Sequence, residues 1–81
     1  MKIIEIPSVN DIGEAVSPTQ LREAKQDIIV KTTMHDIPTI IVGCYDNNDT
    51  IGFVAFQNNE CAGQFTTGTM YERAVQYLEQ L

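Results

Sequence analysis

Three side chains in this chain have the chemistry of a nucleophile and its base: Cys44, Cys61 and the single histidine, His35. A thiol works as a nucleophile when a neighbouring imidazole takes its proton, so one cysteine would have to fold against His35. Serine offers no better start, because it occurs only at Ser8 and Ser17. A zinc site takes three or four convergent ligands, two of them close in sequence, and this spacing does not provide them. The acidic stretch Asp46-Asn47-Asn48-Asp49 lacks the length and the distal glutamate of an EF-hand calcium loop, and reads as a hairpin loop. Thr66-Thr67-Gly68-Thr69 stands where a helix start would attract an anion, but capping accounts for threonines at that position. The expectation is no catalytic residue, no bound cofactor and no metal.

Side-chain alternation bears on whether the thiols are available. Residues 39–45 (TIIVGCY) form a near-continuous apolar run of the kind found in a strand covered on both sides. Cys44 alternates there with Ile40 and Val42, so both thiols are expected to be reduced and buried as small hydrophobes. His35 falls in the turn His35-Asp36-Ile37-Pro38. In a meander that turn shares one sheet end with Asn58-Asn59, an arrangement that would let Glu60 or Cys61 approach His35.

The elements follow from period and punctuation. Lys2 to Ile6 reads as a short strand ended by Pro7, and residues 8–16 as a loop with one helical turn. Ser17-Pro18-Thr19-Gln20 opens a helix: Ser17 caps, Pro18 suits the first position, and Gln20 stands where a capping-box partner belongs. Strands are expected near 28–34, 39–45 and 51–57, with Asn58-Asn59 as a two-residue turn into a weaker strand over 60–67. Gly63 marks a bulge or a close backbone approach within it. Apolar residues at 70, 71, 74, 75, 77, 78 and 81 predict a helix over roughly 69–80, with Arg73 on its polar face. The sum is one α+β domain over residues 1–81, an antiparallel four-stranded meander with a short N-terminal strand and two helices (β-α-β-β-β-β-α). The helices should pack against one face, the C-terminal one included.

Phe53 and Phe56 cannot share a face of a regular strand, so one of them must look toward the second face. Two helices on one side would leave the other bare, and an apolar face of several hundred Å² is rarely left in water. Residues 8–16 offer Val9, Ile12, Ala15 and Val16 as a cover. The alternative favoured here is a homodimer or a stable partner built on the sheet.

Charge narrows the partner. The 81 residues carry eleven acidic and five basic side chains, a formal charge of −6. The cations Lys2, Arg22, Lys25, Lys31 and Arg73 are scattered, whereas nucleic-acid backbones are held by clustered ones, so no direct nucleic-acid contact is expected. No apolar run nears the roughly 18 residues of a membrane span. The N-terminus shows no signal-peptide pattern, so a cytoplasmic protein without membrane contact is expected.

Two stretches resemble known families. The hairpin IIVGCYDNNDTIGFVAF, followed by a helix, resembles the central hairpin of acetyl-CoA-dependent acetyltransferases. That likeness implies a small acyl-CoA-type enzyme or a fragment of one, whose glycine-rich pyrophosphate loop would stand where this chain has QFTTGT. A helix followed by DIIVKTTMHDIPTIIV is similar to the helix and hairpin of Phd/YefM-like antitoxins, which implies an antitoxin-like regulator. Small acidic domains without a site are typical of inhibitors, adaptors and accessory proteins of phages and mobile elements, and by that association of class the expectation is a non-enzymatic protein-binding module. It would dock on the basic surface of a partner, for instance a nucleic-acid-binding protein. The contact residues expected are Asp36, Asp46, Asp49 and Glu60, with Phe53 and Phe56.

Overall fold

A computed structural model describes residues 1–46 and 48–81, so the Asn47 position of the expected loop lies outside the described residues. Five strands form one mixed sheet in the order β1-β2-β3-β4-β5: Lys2–Glu5, Ile28–Met34, Ile37–Tyr45, Ile51–Gln57 and Glu60–Phe65. The last four are the antiparallel meander, and β1 pairs parallel with β2, Lys2 opposite Ile28 and Glu5 opposite Lys31. A parallel pair needs a crossover, and the segment between β1 and β2 supplies it. That segment holds a 3-10 turn (Val9–Asp11), a one-turn helix α1 (Ile12–Ala15) and a helix α2 (Pro18–Ala24). The C-terminal helix α3 spans Gly68–Gln80.

Local chemistry explains most boundaries. Ser17 caps α2 by accepting from the Gln20 backbone N–H at 3.2 Å, and Lys25 ends it in left-handed geometry, φ 53°. Gln20 does not close a capping box, because its amide donates to the Glu14 carbonyl and so ties α2 to α1. The β2–β3 turn is tighter than the four residues expected. His35 and Asp36, φ 53° and 64°, form it alone, and Ile37 and Pro38 already belong to β3. Asn58 and Asn59, φ 54° and 65°, make the two-residue turn into β5, as two consecutive left-handed residues favour in a hairpin. The pairing jumps from Ala55↔Gly63 to Phe56↔Cys61, so β5 carries the irregularity beside Gly63 with Ala62 as its extra residue.

The helices lie on opposite faces, not on one. On the first face Met70 and Ala74 of α3 are buried with Ile29, Val42, Cys44, Val54 and Phe56. On the second, Ala15, Val16 and Leu21 are buried with Ile28 and Val30, and Ile41, Ile51 and Phe53 pack against them. Phe56 and Phe53 thus divide between the two faces, as strand alternation requires. The cover on the second face is the 12–21 segment of the same chain. It approaches closely: a Cβ on Gly43 would lie 2.8 Å from Val16 Cγ2 and 3.1 Å from Leu21. On the α3 side, Gly52 is equally constrained, with Met70 Sδ at 2.8 Å from where its Cβ would stand. No helix among the described residues is long and apolar enough to cross a membrane.

Candidate functional site

The polar groups that do converge are not those the sequence singled out. Asp27 lies just before β2 and is 8% exposed. Its Oδ1 accepts from the Tyr45 backbone N–H at 2.8 Å and from Arg73 Nη2 at 3.2 Å, while Arg73 Nε stands 3.0 Å from Oδ2 as an ion-pair contact. Arg73 Nη2 also donates to the Tyr45 carbonyl at 3.0 Å, and the Tyr77 hydroxyl donates to Asp27 Oδ2. Arg73 and Tyr77 stand four residues apart on α3, so one face of that helix presents both to a single carboxylate. The arrangement joins the start of β2, the end of β3 and α3, and it corrects the solvent-facing position expected of Arg73.

Cys44 adjoins this cluster. Burial pushes its thiol pKa up, the Asp27 charge adds to the rise, and Arg73 opposes it. A raised pKa keeps the sulfur as a thiol at neutral pH, where a nucleophile needs the thiolate. Its Sγ contacts the Met70 carbonyl at 3.8 Å. Tyr77 is pushed up to about 12, by burial first and then by its bond to the Asp27 carboxylate. Chemically the carboxylate, the Tyr77 hydroxyl and Arg73 Nη2 all bond within the molecule, while Arg73 Nε meets Oδ2 as an ion-pair contact without a hydrogen bond.

Cys61, expected to be buried, is exposed on β5, and its thiol contacts the Gly63 carbonyl at 3.6 Å. His35 is exposed and lines a shallow hollow with Pro7, Ser8, Val9 and Asn10 on the crossover side. Among the described residues no three of His, Cys, Asp and Glu are placed to share a metal ion. Thr67 caps α3 through its hydroxyl, which accepts from the Met70 N–H at 3.5 Å.

The six expected contact residues are dispersed. Asp36 is exposed in the β2–β3 turn. Asp46 is half-buried, and its Oδ1 accepts from the backbone N–H groups of Asn48 and Thr50 at 2.9 and 3.1 Å, holding the β3–β4 loop. Asp49, φ 59°, accepts from the Tyr45 hydroxyl at 2.9 Å, a bond that is the main cause of the raised Tyr45 pKa. Glu60 is exposed at the start of β5. Phe56 is 3% exposed beneath α3, its ring centroid 6.5 Å from that of Tyr71, so it presents almost no surface. Phe53 is half-buried on the other face and borders a shallow apolar groove with Ile41, Ala55, Gly63 and Phe65.

That groove leads to β5, whose six residues are all exposed. Phe65 is 73% exposed, the largest value among the exposed large hydrophobic residues. The sequence places the strand, but it assigns the six aromatic side chains, Phe65 among them, mostly to the core, and for Phe65 the exposure corrects that expectation. The available signal was length: α3 and the crossover are too short to cover five strands on both faces. Compared with protein-family models, curated proteins and solved structures, the chain matches none.

Proposed function

We propose that this chain is a non-enzymatic, acidic protein-binding module of the inhibitor or adaptor type that docks on a basic partner surface. The observation that supports it most is Phe65, 73% exposed at the end of a wholly exposed strand, in a molecule of formal charge −6. An aromatic ring left in water on a strand that no other element covers among the described residues is the kind of anchor protein interfaces bury. The polar cluster around buried Asp27 supports the same reading from the other side, since its bonds to Arg73 and Tyr77 hold α3 to the sheet.

The test is recovery of a partner from cells with a tagged copy, followed by salt titration of the purified pair. A complex that weakens as salt rises supports acidic docking, because exposed charges are screened within about 8 Å at physiological ionic strength. A complex indifferent to salt argues against it. A thermal-shift series with acetyl-CoA should leave the melting temperature unchanged, and stabilisation by acetyl-CoA would move the protein into the acyl-transfer class.

A further inference from the structure

The two outer strands differ in how they meet solvent, and the difference points to one of them. β1 is four residues long with Lys2 and Glu5 at its ends, and Pro7 follows it. Charge, brevity and proline are the usual protections of a sheet edge. β5 has six residues and a single charge, Glu60, with no lysine and no proline. Its bulge at Ala62 lies toward Glu60, leaving Gly63, Gln64 and Phe65 in regular register with Ala55, Val54 and Phe53. Among the described residues nothing pairs with its outer edge.

A receptor for an extended chain needs that free edge and also a pocket for alternate side chains. The groove beside β5 has the second feature. Ala55 and Gly63 form a low floor between Phe53, Ile41 and Phe65. Among the described residues, its two chain neighbours aside, no atom lies within 4 Å of where a Gly63 Cβ would stand, so the floor is open. An apolar side chain from an added strand would lie across Gly63 against the Phe65 ring.

Charge decides the occupant. Phe65 pairs with Phe53, two residues after Ile51, so its end of β5 shares a sheet end with Asp46 and Asp49. Glu60 marks the opposite end. A second copy pairing antiparallel about a two-fold axis would bring each Glu60 toward the other copy's Asp46 and Asp49 side. That sets acidic sheet ends against each other in two copies that each carry a formal charge of −6. An extended segment with a cation at each end meets opposite charge at both.

We infer that the outer edge of β5 takes an extended basic segment of a partner protein as a sixth strand, with an apolar side chain in the groove beside Phe65. This deepens the protein-binding reading above and rests on it.

The probe is a short capped peptide with lysine at both ends and valine alternating with threonine between, titrated into isotopically labelled protein and followed by backbone amide shifts. A counterpart with glutamate at both ends is the control. Shifts concentrated at residues 60–65, with the glutamate peptide bound far more weakly, are the result expected. Phe65→Ala should weaken the lysine peptide about tenfold or more, as loss of an aromatic anchor does. Glu60→Gln combined with Asp49→Asn should weaken it several-fold and flatten its salt dependence. These neutral replacements keep the side-chain shapes, so they serve even if Phe65→Ala disturbs the fold.

Shifts confined to α3 or the crossover, or equal binding of the two peptides, would overturn the inference. So would a dimer in sedimentation that Phe65→Ala abolishes, since a second copy would then hold the edge. The two readings fail separately. A recovered partner that binds Phe65→Ala and native protein alike removes β5 as the site and leaves the protein-binding module standing.

Discussion

Phe53 and Phe65 face each other across the β4–β5 pair, yet one is half-buried and the other 73% exposed. Their neighbours repeat the contrast. Val54 is fully buried opposite exposed Gln64, and Phe56 is buried opposite exposed Cys61. Strand pairing continues across this boundary while helix cover does not. α3 and the 12–21 segment reach β2, β3 and β4, and β5 lies beyond both. A residue's surroundings in this sheet are therefore set by the reach of the helices, and the hydrogen-bonded ladder alone predicts nothing about burial.

The widest gap between the two regions should appear at the thiols. Cys44 is fully buried and Cys61 exposed, and both are free. Labelling of Cys44 requires an opening that exposes it, and folded proteins hold unfolded fractions of about one in a thousand or less. Cys61 should react at once in native buffer and Cys44 about a thousandfold more slowly, the two rates converging in denaturant. Fast native labelling of Cys44 would mean that α3 does not seal its face.

Ile29→Ala, in the centre of the α3 core, should cost about 3 kcal/mol in urea unfolding, within the range for emptying a core aliphatic position. Asp27→Ala comes next, at about 2–3 kcal/mol. It strands the Arg73 and Tyr77 groups and the Tyr45 N–H, but Arg73 is 34% exposed and water relieves part of the loss. Equal costs at Ile29 and at any β5 position would dissolve the distinction between a covered and an uncovered half.

How much of this could be read from the residues depends on range. Period and turn chemistry are local, so the four meander strands, the Asn58-Asn59 turn, the Ser17 cap and α3 all followed from neighbours in sequence. The parallel pairing of β1 with β2 joins Lys2 to Ile28, and no local pattern encodes it. The placement of helices on both faces was inferable in part: Phe53 and Phe56 required two apolar faces, but residues 8–16 looked too thin to cover one. Gly43 is what makes the thin cover sufficient, because its bare backbone lets Val16 and Leu21 sit directly on the sheet. The Asp27 cluster escaped notice because its partners stand 46 and 50 residues away. Arg73, read by helical phase alone, belongs on the polar side, and only its length lets it return to Asp27.

Alkaline pH probes the covered half again, more gently. Cys44 and Tyr77 are neutral when protonated, and both have folded pKa values above their ordinary ones, Tyr77 at about 12. The folded state therefore holds these protons more tightly than the unfolded chain. That contribution is whole below about pH 8 and is lost as pH rises, first through the ordinary thiol range and then as Tyr77 titrates. Native protein should keep a level urea midpoint from pH 7 to about 8 and lose stability above it, and Tyr77→Phe should lose less between pH 10 and 12. An identical alkaline slope in the variant would place the titrating group elsewhere.

The smallest effect is expected where the ring is largest. Phe65→Ala removes a phenyl group from a strand, a change that typically costs 3–5 kcal/mol in a core. Here most of the ring is already in water, so folding buries little of it and its removal leaves no cavity. Exposed positions away from caps and buried networks usually move stability by no more than about 0.5 kcal/mol, and Phe65→Ala should fall in that band. The measurement is a urea midpoint alongside Phe53→Ala, which truncates the paired ring on β4. Phe53 packs against the 12–21 cover, so its loss should cost clearly more despite the same chemistry one strand away. A Phe65→Ala cost near that of Phe53→Ala would show that the ring is covered in solution, by its own chain or by a second copy. A negligible cost leaves Phe65 as an apolar side chain that contributes little to folding, which is the condition for spending it on a partner.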